Sequence, residues 1–317
     1  MEKNKQIKRN HHYVWSHYLK SWAKVTDVFY ISKKGKISKD SIKGLAKEID
    51  FYKINPLNID DIEYIKRFSA MSPDFLQEMH MSHLQYFIKL SNVSNTISQS
   101  KIYSKDLELL NNVIKHNSLE NLHSLFEDTA VKAINELSKG NKNILDTATN
   151  MISFCTFLGH QLTRTKRMKE RSSDAINMSM PFTNEALLFE KNWWFLSFML
   201  GINVGWSLYE SKTRNKHIYI TNNTDIPFIT SDNPIINVHS SVKGLNEFEA
   251  PEYADFFIPL SPKYAYMIND SSDYDHLELS ISAEEVKNFN QAIYEKSHKT
   301  VFASEESALK DMKANKF

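Results

Sequence analysis

The chain has 317 residues, of which 41% are hydrophobic and 12% aromatic, enough apolar material to bury a sizeable core. Its 39 Lys and Arg against 38 Asp and Glu leave a net charge of +1, so whole-chain charge does not mark a nucleic-acid binder and any anion site must be local. The single cysteine, Cys155, excludes an internal disulfide and a cysteine-clustered zinc site and fits a reducing compartment.

In chain order, the opening "MEKNKQIKRN" is basic but runs into His, Tyr and Trp rather than an apolar signal core, so it does not read as a secretory signal. Val14, Tyr18 and Trp22, with Trp15 and Leu19, recur at helical spacing and predict a short amphipathic helix that His12 begins. "DVFYIS" and "GKIS" around Lys33-Lys34-Gly35 predict a β-hairpin. From Asn58 to Ser211 the pattern is helical. Ser72-Pro73 opens one helix, Ser104 begins another, and further helices are expected in "NLHSLFEDTAVKAINELSKG", in the single run "ILDTATNMISFCTFLGHQLTRTKRMKERS" and in "NEALLFEKNWWFLSFMLGINVGWSLYES". The most apolar stretch, Trp193 to Trp206, is too short to cross a bilayer and contains Asn203 and two glycines, so a buried helix, no membrane partner and a cytoplasmic location are expected.

After Lys216 the pattern changes to short β-branched and aromatic runs: "HIYITN", "PFITS", "IINVH", "DFFIPLS", "YAYMIND" and "LELSIS". Pro259-Leu260-Ser261-Pro262 should turn between two of these strands, with Ser261 satisfying local backbone, because two prolines cannot donate ladder hydrogen bonds. Ser282 with Glu284 and Glu285 starts a helix, and "TVFAS" and a last helix close the chain. The expected fold class is therefore α+β: a mainly helical central layer with a mostly antiparallel sheet from the N-terminal hairpin and the C-terminal strands. No linker divides the chain, so residues 1–317 read as a single composite domain: 1–57 the N-terminal helix and hairpin, 58–211 the helical core, 212–317 the β-rich part with C-terminal helices.

Three clusters carry candidate chemistry. Arg9, His11, His12, Tyr13 and His17 bring imidazoles, a guanidinium and a phenol together, groups that shuttle protons and hold a phosphate without metal; His12 and Tyr13 are the leading candidates, and the structural alternative is that the neighbouring side chains point different ways. Gln161 and Arg164 share one helix face at i and i+3 and can reach one ligand, while an internal salt bridge, with Asp232 for example, is the alternative for Arg164, and Arg167 reads as solvated. Ser231-Asp232-Asn233-Pro234 is a competent turn on conformational grounds, yet at a strand end it would also hold a carboxylate and an amide rigidly. His80 and His83 are spaced for a metal but lack a fixed acidic companion and read as a surface pair; Cys155 reads as buried, and Trp193, Trp194 and Trp206 as core. No metal and no cofactor is expected, and phosphate loops, hydrolase elbows and zincin motifs are absent.

The fragments "NHHYVWSHYLKSWA", "HQLTRTKRM", "PFITSDNPII", "FFIPLSPKYAYMI" and "NFNQAIYEKSHKTVFAS", in this order, resemble the bacterial proteins of domain-of-unknown-function family 4238. The resemblance spans nearly the whole chain and implies that the His-Tyr, Gln-x-x-Arg, Ser-Asp-Asn-Pro and Pro-Leu-Ser-Pro elements belong to one unit, without implying a reaction. Family members more often carry Pro after His-Tyr-Val, where this chain has Trp15.

Two functions follow as expectations. One is a metal-independent phosphodiesterase that cleaves RNA, of the bacterial toxin or phage-defence type: His12 as general acid or base with Tyr13 assisting, Arg164 stabilising the phosphorane, Gln161 and Asn233 orienting the substrate with Arg9 and His11, and Asp232 holding His12 or Arg164. The other is a non-catalytic module in which the same groups bind a phosphate-bearing or other anionic ligand, or a partner protein.

Overall fold

The computed structural model describes residues 6–32, 34–102, 104–242, 244–245 and 249–314. Strand β1 (Asn10–His12) leads into helix α1 (Ser16–Leu19) and a 3-10 turn through Trp22, followed by β2 (Asp27–Ile31), β3 (Ile37–Ser41) and β4 (Lys47–Ile49). Helices α2 (Ile59–Ser69), α3 (Asp74–Gln99), α4 (Lys105–Leu137), α5 (Ala148–Thr163), α6 (Lys166–Ser179) and α7 (Asn184–Ser211) form the middle of the chain. Strands β5 (Lys216–Thr221), β6 (Thr230–Ser231), β7 (Ile236–Asn237), β8 (Phe256–Pro259) and β9 (Tyr264–Asn269), helix α8 (Ala283–Lys296), strand β10 (Val301–Ala303) and helix α9 (Glu306–Ala314) complete it.

The α+β expectation holds, and the N-terminal hairpin does join C-terminal strands, in the order β3-β2-β10-β6. A second sheet runs β5-β9-β8-β7, and β1 pairs with β4 alone, all antiparallel. The turn of the hairpin includes Lys33, which lies outside the described residues. Because β6 belongs to one four-stranded sheet and β7 to the other, the segment "TSDNPIIN" is where the chain changes sheets. Pro259 ends β8 opposite Ala265, and the Ser261 hydroxyl accepts from the amides of Lys263 (3.3 Å) and Tyr264 (3.1 Å), the turn expected there.

Several expectations are corrected. His12 ends a strand rather than starting a helix, because the 10–12 backbone pairs in register with residues 47–49 and leaves only four residues for α1. The two helices expected between Ser104 and Gly140 are one helix of 33 residues. The single run expected through "HQLTRTKRM" breaks after Thr163: Arg164 leaves helical geometry, and Thr165, extended at φ −73° and ψ 154°, caps a new helix by accepting from the Met168 amide. "LELSIS" forms no strand; Leu277 is buried in a 3-10 turn while Leu279 points to solvent. His80 is fully buried, its Nδ1 on the Ser69 hydroxyl at 3.0 Å, rather than at the surface. Trp206 is partly exposed and meets Phe75 edge-on at 4.9 Å, whereas Trp193 and Trp194 are core as expected.

Helices α5 and α7 cross at backbone distance. A Cβ on Gly159 would lie 2.3 Å from the Gly201 carbonyl and the Gly205 amide, and one on Gly205 would lie 2.8 Å from Thr156 Cα. A Cβ on Gly201 would meet the His160 ring at 2.3 Å. The apolar face of α7 and its partners on α2, α3 and α4 make one core; Tyr13 to Trp22 pack with α4, α5 and the sheets in a second; α8, α9 and the C-terminal strands enclose a third. No described helix is long and apolar enough to cross a membrane.

Candidate functional site

The N-terminal cluster is largely spent on holding the fold. Arg9 grips Asp50 with two hydrogen bonds (2.9 and 2.6 Å), and the guanidinium keeps that carboxyl down at about 2. His11 is fully buried: its Nε2 lies 2.8 Å from the carbonyls of Lys8 and His116, and its Nδ1 accepts from the Tyr52 amide at 2.7 Å. That pattern requires the neutral ring with the proton on Nε2, consistent with a pKa lowered by burial. His12 is half-buried, and its Nε2 has no hydrogen-bond partner; burial foremost, then Lys47 and Arg164, lowers its pKa. Burial, then the carboxylates of Asp232 and Glu48, raise the Tyr13 phenol above its usual range.

Gln161 and Arg164 do share a face, as the spacing requires, but they turn inward together. The Gln161 amide donates to the Tyr13 carbonyl (2.9 Å) and accepts from the Trp15 amide (3.3 Å), clamping the N-terminal strap onto α5. Arg164, 2% exposed, reaches Glu127 at 2.6 Å and Gln161 at 3.2 Å. The internal salt bridge considered for Arg164 therefore exists, with Glu127 of α4 as its partner and not Asp232. Burial works against the Arg164 charge, and Glu127, with Tyr52 and Glu120, more than offsets it, leaving its pKa raised.

Around that pair lies a group of titratable side chains that apolar periodicity had hidden. His116, Glu120, His123 and Glu127 follow one another on α4 at i, i+4, i+7 and i+11, one inward stripe. His123 and His160 are buried with all four ring nitrogens unpartnered, their rings 5.5 Å apart, and His160 stacks on Phe198 at 5.1 Å. Burial, then Arg164, holds His160 down at about 3; burial, then Glu127, lifts Glu120 to about 7.

The Ser-Asp-Asn-Pro turn is also tied internally. The fully buried Asp232 carboxylate accepts from the amides of His298 (2.8 Å), Lys299 (2.8 Å) and Thr300 (3.0 Å), stapling β6 to the segment before β10. It pairs with neither Arg164 nor His12, contrary to expectation, because the backbone donors surround it; burial still raises its pKa to about 6 against their pull. Asn233 donates to the Lys296 carbonyl at 3.0 Å. Arg164 and Asp232 are thus each satisfied by partners other than one another or His12.

A cavity of about 700 Å³ opens instead beside the place where the chain changes sheets, and of the expected residues only Asn233 lines it. Leu162, Val204, Ile235 and Phe256 form apolar wall, and Thr165, Arg167, Arg171 and Lys296 bring the start of α6 and the end of α8 to it. Arg167, expected to be solvated, makes no ion pair with a described residue and lines this space. Lys296 donates to the Asn237 carbonyl at 2.6 Å, and burial, then Arg167 and Arg171, lowers its pKa. Glu249 is the one carboxylate on the wall among the described residues. Such a space can hold an anion with an apolar body. No group of described His, Cys, Asp and Glu is placed to hold a metal ion.

These features define an α+β protein with a cation-rimmed cavity at a sheet crossover. The chain belongs to the family described as Protein of unknown function (DUF4238), which it matches over residues 10–192 and 201–307. No curated protein and no solved structure matches it.

Proposed function

We propose that this chain binds a small phosphate-bearing ligand in the cavity between the start of α6 and the sheet crossover. The observation that carries this reading is the cluster of Arg167, Arg171 and Lys296 on a wall with one described carboxylate, Glu249. Arg167 and Lys296 on this wall repel one another, a cost that an anionic ligand offsets. Arg167 supplies a planar fork suited to phosphate, and the N-terminus of α6 adds its dipole. The apolar wall favours a phosphate ester over the free ion.

Calorimetric titration with phenyl phosphate tests the reading. Saturable binding that weakens roughly tenfold or more in Arg167→Ala is expected, the loss of one charge-assisted contact. Equal affinity in wild type and variant rejects it.

The RNA-cleavage reading retains one supporting observation, the unpartnered buried Nε2 of His12 beside Tyr13. It requires cleavage of RNA by the wild type that His12→Ala abolishes; inert wild-type protein removes it.

A further inference from the structure

The cavity wall carries one amine. Lys296 ends α8, is half-buried, and directs Nζ to the Asn237 carbonyl at 2.6 Å; it has no carboxylate partner among the described residues. Arg167 and Arg171 share its wall. Of Arg167 and Lys296 only the ammonium can relieve their mutual repulsion by losing its proton, since a guanidinium stays protonated throughout the physiological range. Burial and the two guanidiniums act on Lys296 in that direction. An amine desolvated beside another cation is deprotonated, and so nucleophilic, at a lower pH than an exposed lysine, and the hydrogen bond to the Asn237 carbonyl fixes its orientation.

From this arrangement we propose that Lys296 captures the carbonyl carbon of a phosphorylated aldehyde or ketone as an imine, with Arg167 and the start of α6 holding the phosphate. The inference rests on the phosphate-binding reading above. The neutral Nζ attacks the carbonyl carbon, a C–N bond forms and the carbonyl oxygen takes up a proton, giving a carbinolamine. Loss of water then breaks the C–O bond; both hydrogens of the original amine leave with that oxygen, and nothing is oxidised or reduced. The Thr165 hydroxyl and the Glu249 carboxylate line the same space and can exchange these protons.

The test is borohydride trapping with glyceraldehyde 3-phosphate at low molar excess, followed by peptide mass mapping. Expected is a reduced adduct on the Lys296 peptide roughly tenfold above the average of the other lysines, suppressed by excess inorganic phosphate, and roughly tenfold weaker with unphosphorylated glyceraldehyde, the discrimination of one lost phosphate contact. Label spread evenly over the lysines overturns the inference. Calorimetry with phenyl phosphate on wild type and Lys296→Met separates the two ideas. Binding to the wild type without a Lys296 adduct overturns the imine alone. Absence of binding to the wild type overturns the cavity reading and the imine with it.

Discussion

Arg164 and Arg167 stand three residues apart and meet opposite fates. Arg164 turns into the helical interior, where Glu127 lies 2.6 Å away and Glu120 is near. Arg167 follows the break at Thr165 onto a new helix and faces a cavity with no described anion paired to it. The first guanidinium is neutralised by the fold, and the second has no carboxylate partner among the described residues, which is why the proposed ligand is placed at it. A cation in a sequence thus announces a ligand only where the fold brings no carboxylate of its own.

The largest effect should come from breaking the interior pair. Glu127→Gln leaves Arg164 buried without its counter-charge and should cost about 3–5 kcal/mol in urea unfolding. A loss of less than about 1 kcal/mol, the range of exposed pairs such as Arg67–Glu185, would erase the contrast between the two arginines.

Acid should sharpen the same contrast by a moderate amount. The folded-state pKa values of His123 and His160 lie below the ordinary one, His160 at about 3, so the unfolded chain takes up protons that the fold refuses. Their contribution is intact above about pH 6.5 and is lost as pH falls, at about 1.4 kcal/mol per pH unit for each ring. Glu120, raised to about 7, and Asp232, raised to about 6, act oppositely, gaining stability as pH falls through those values. The histidine share is isolated by His123→Gln, whose urea midpoint should fall less than the wild type's between about pH 7.5 and 5. Parallel falls would show that the buried rings do not govern acid sensitivity.

The smallest effect on stability belongs to Arg167→Ala, within about 0.5 kcal/mol, since it breaks no internal pair. A thermal or urea loss as large as that of Glu127→Gln would mean that Arg167 is structural after all.

The helical middle was legible because apolar periodicity over many turns leaves few alternatives; α7 spans Asn184–Ser211 as its pattern predicts, although the same kind of pattern divided α4 in two. The break between α5 and α6 was not, because no Gly or Pro marks it. Thr165 is a good cap residue, but what separates the helices is tertiary: Arg164 is drawn to Glu127, far away in sequence. The stripe His116, Glu120, His123, Glu127 was present in the spacing and escaped a search for apolar repeats. In the turn at Asp232 the residue types were informative about geometry and silent about partners, since its three donors are backbone amides of residues 298–300 whose arrival depends on sheet pairing. Arg167 and Lys296 come from helices separated by more than a hundred residues, a proximity that no local pattern carries.

Three of the chain's seven glycines are spent at the α5–α7 crossing rather than in turns. That crossing works as a caliper: it sets how far α5 stands from its neighbour, and α5 ends where Arg164 turns in and α6 begins. A single methyl group wedged there would splay the two helices and misplace both arginines together. The vulnerable point of two charged regions is thus a contact that contains no charge, and a lesion at Gly159 or Gly205 would show itself as a joint failure of an ion pair and a cavity that it does not touch.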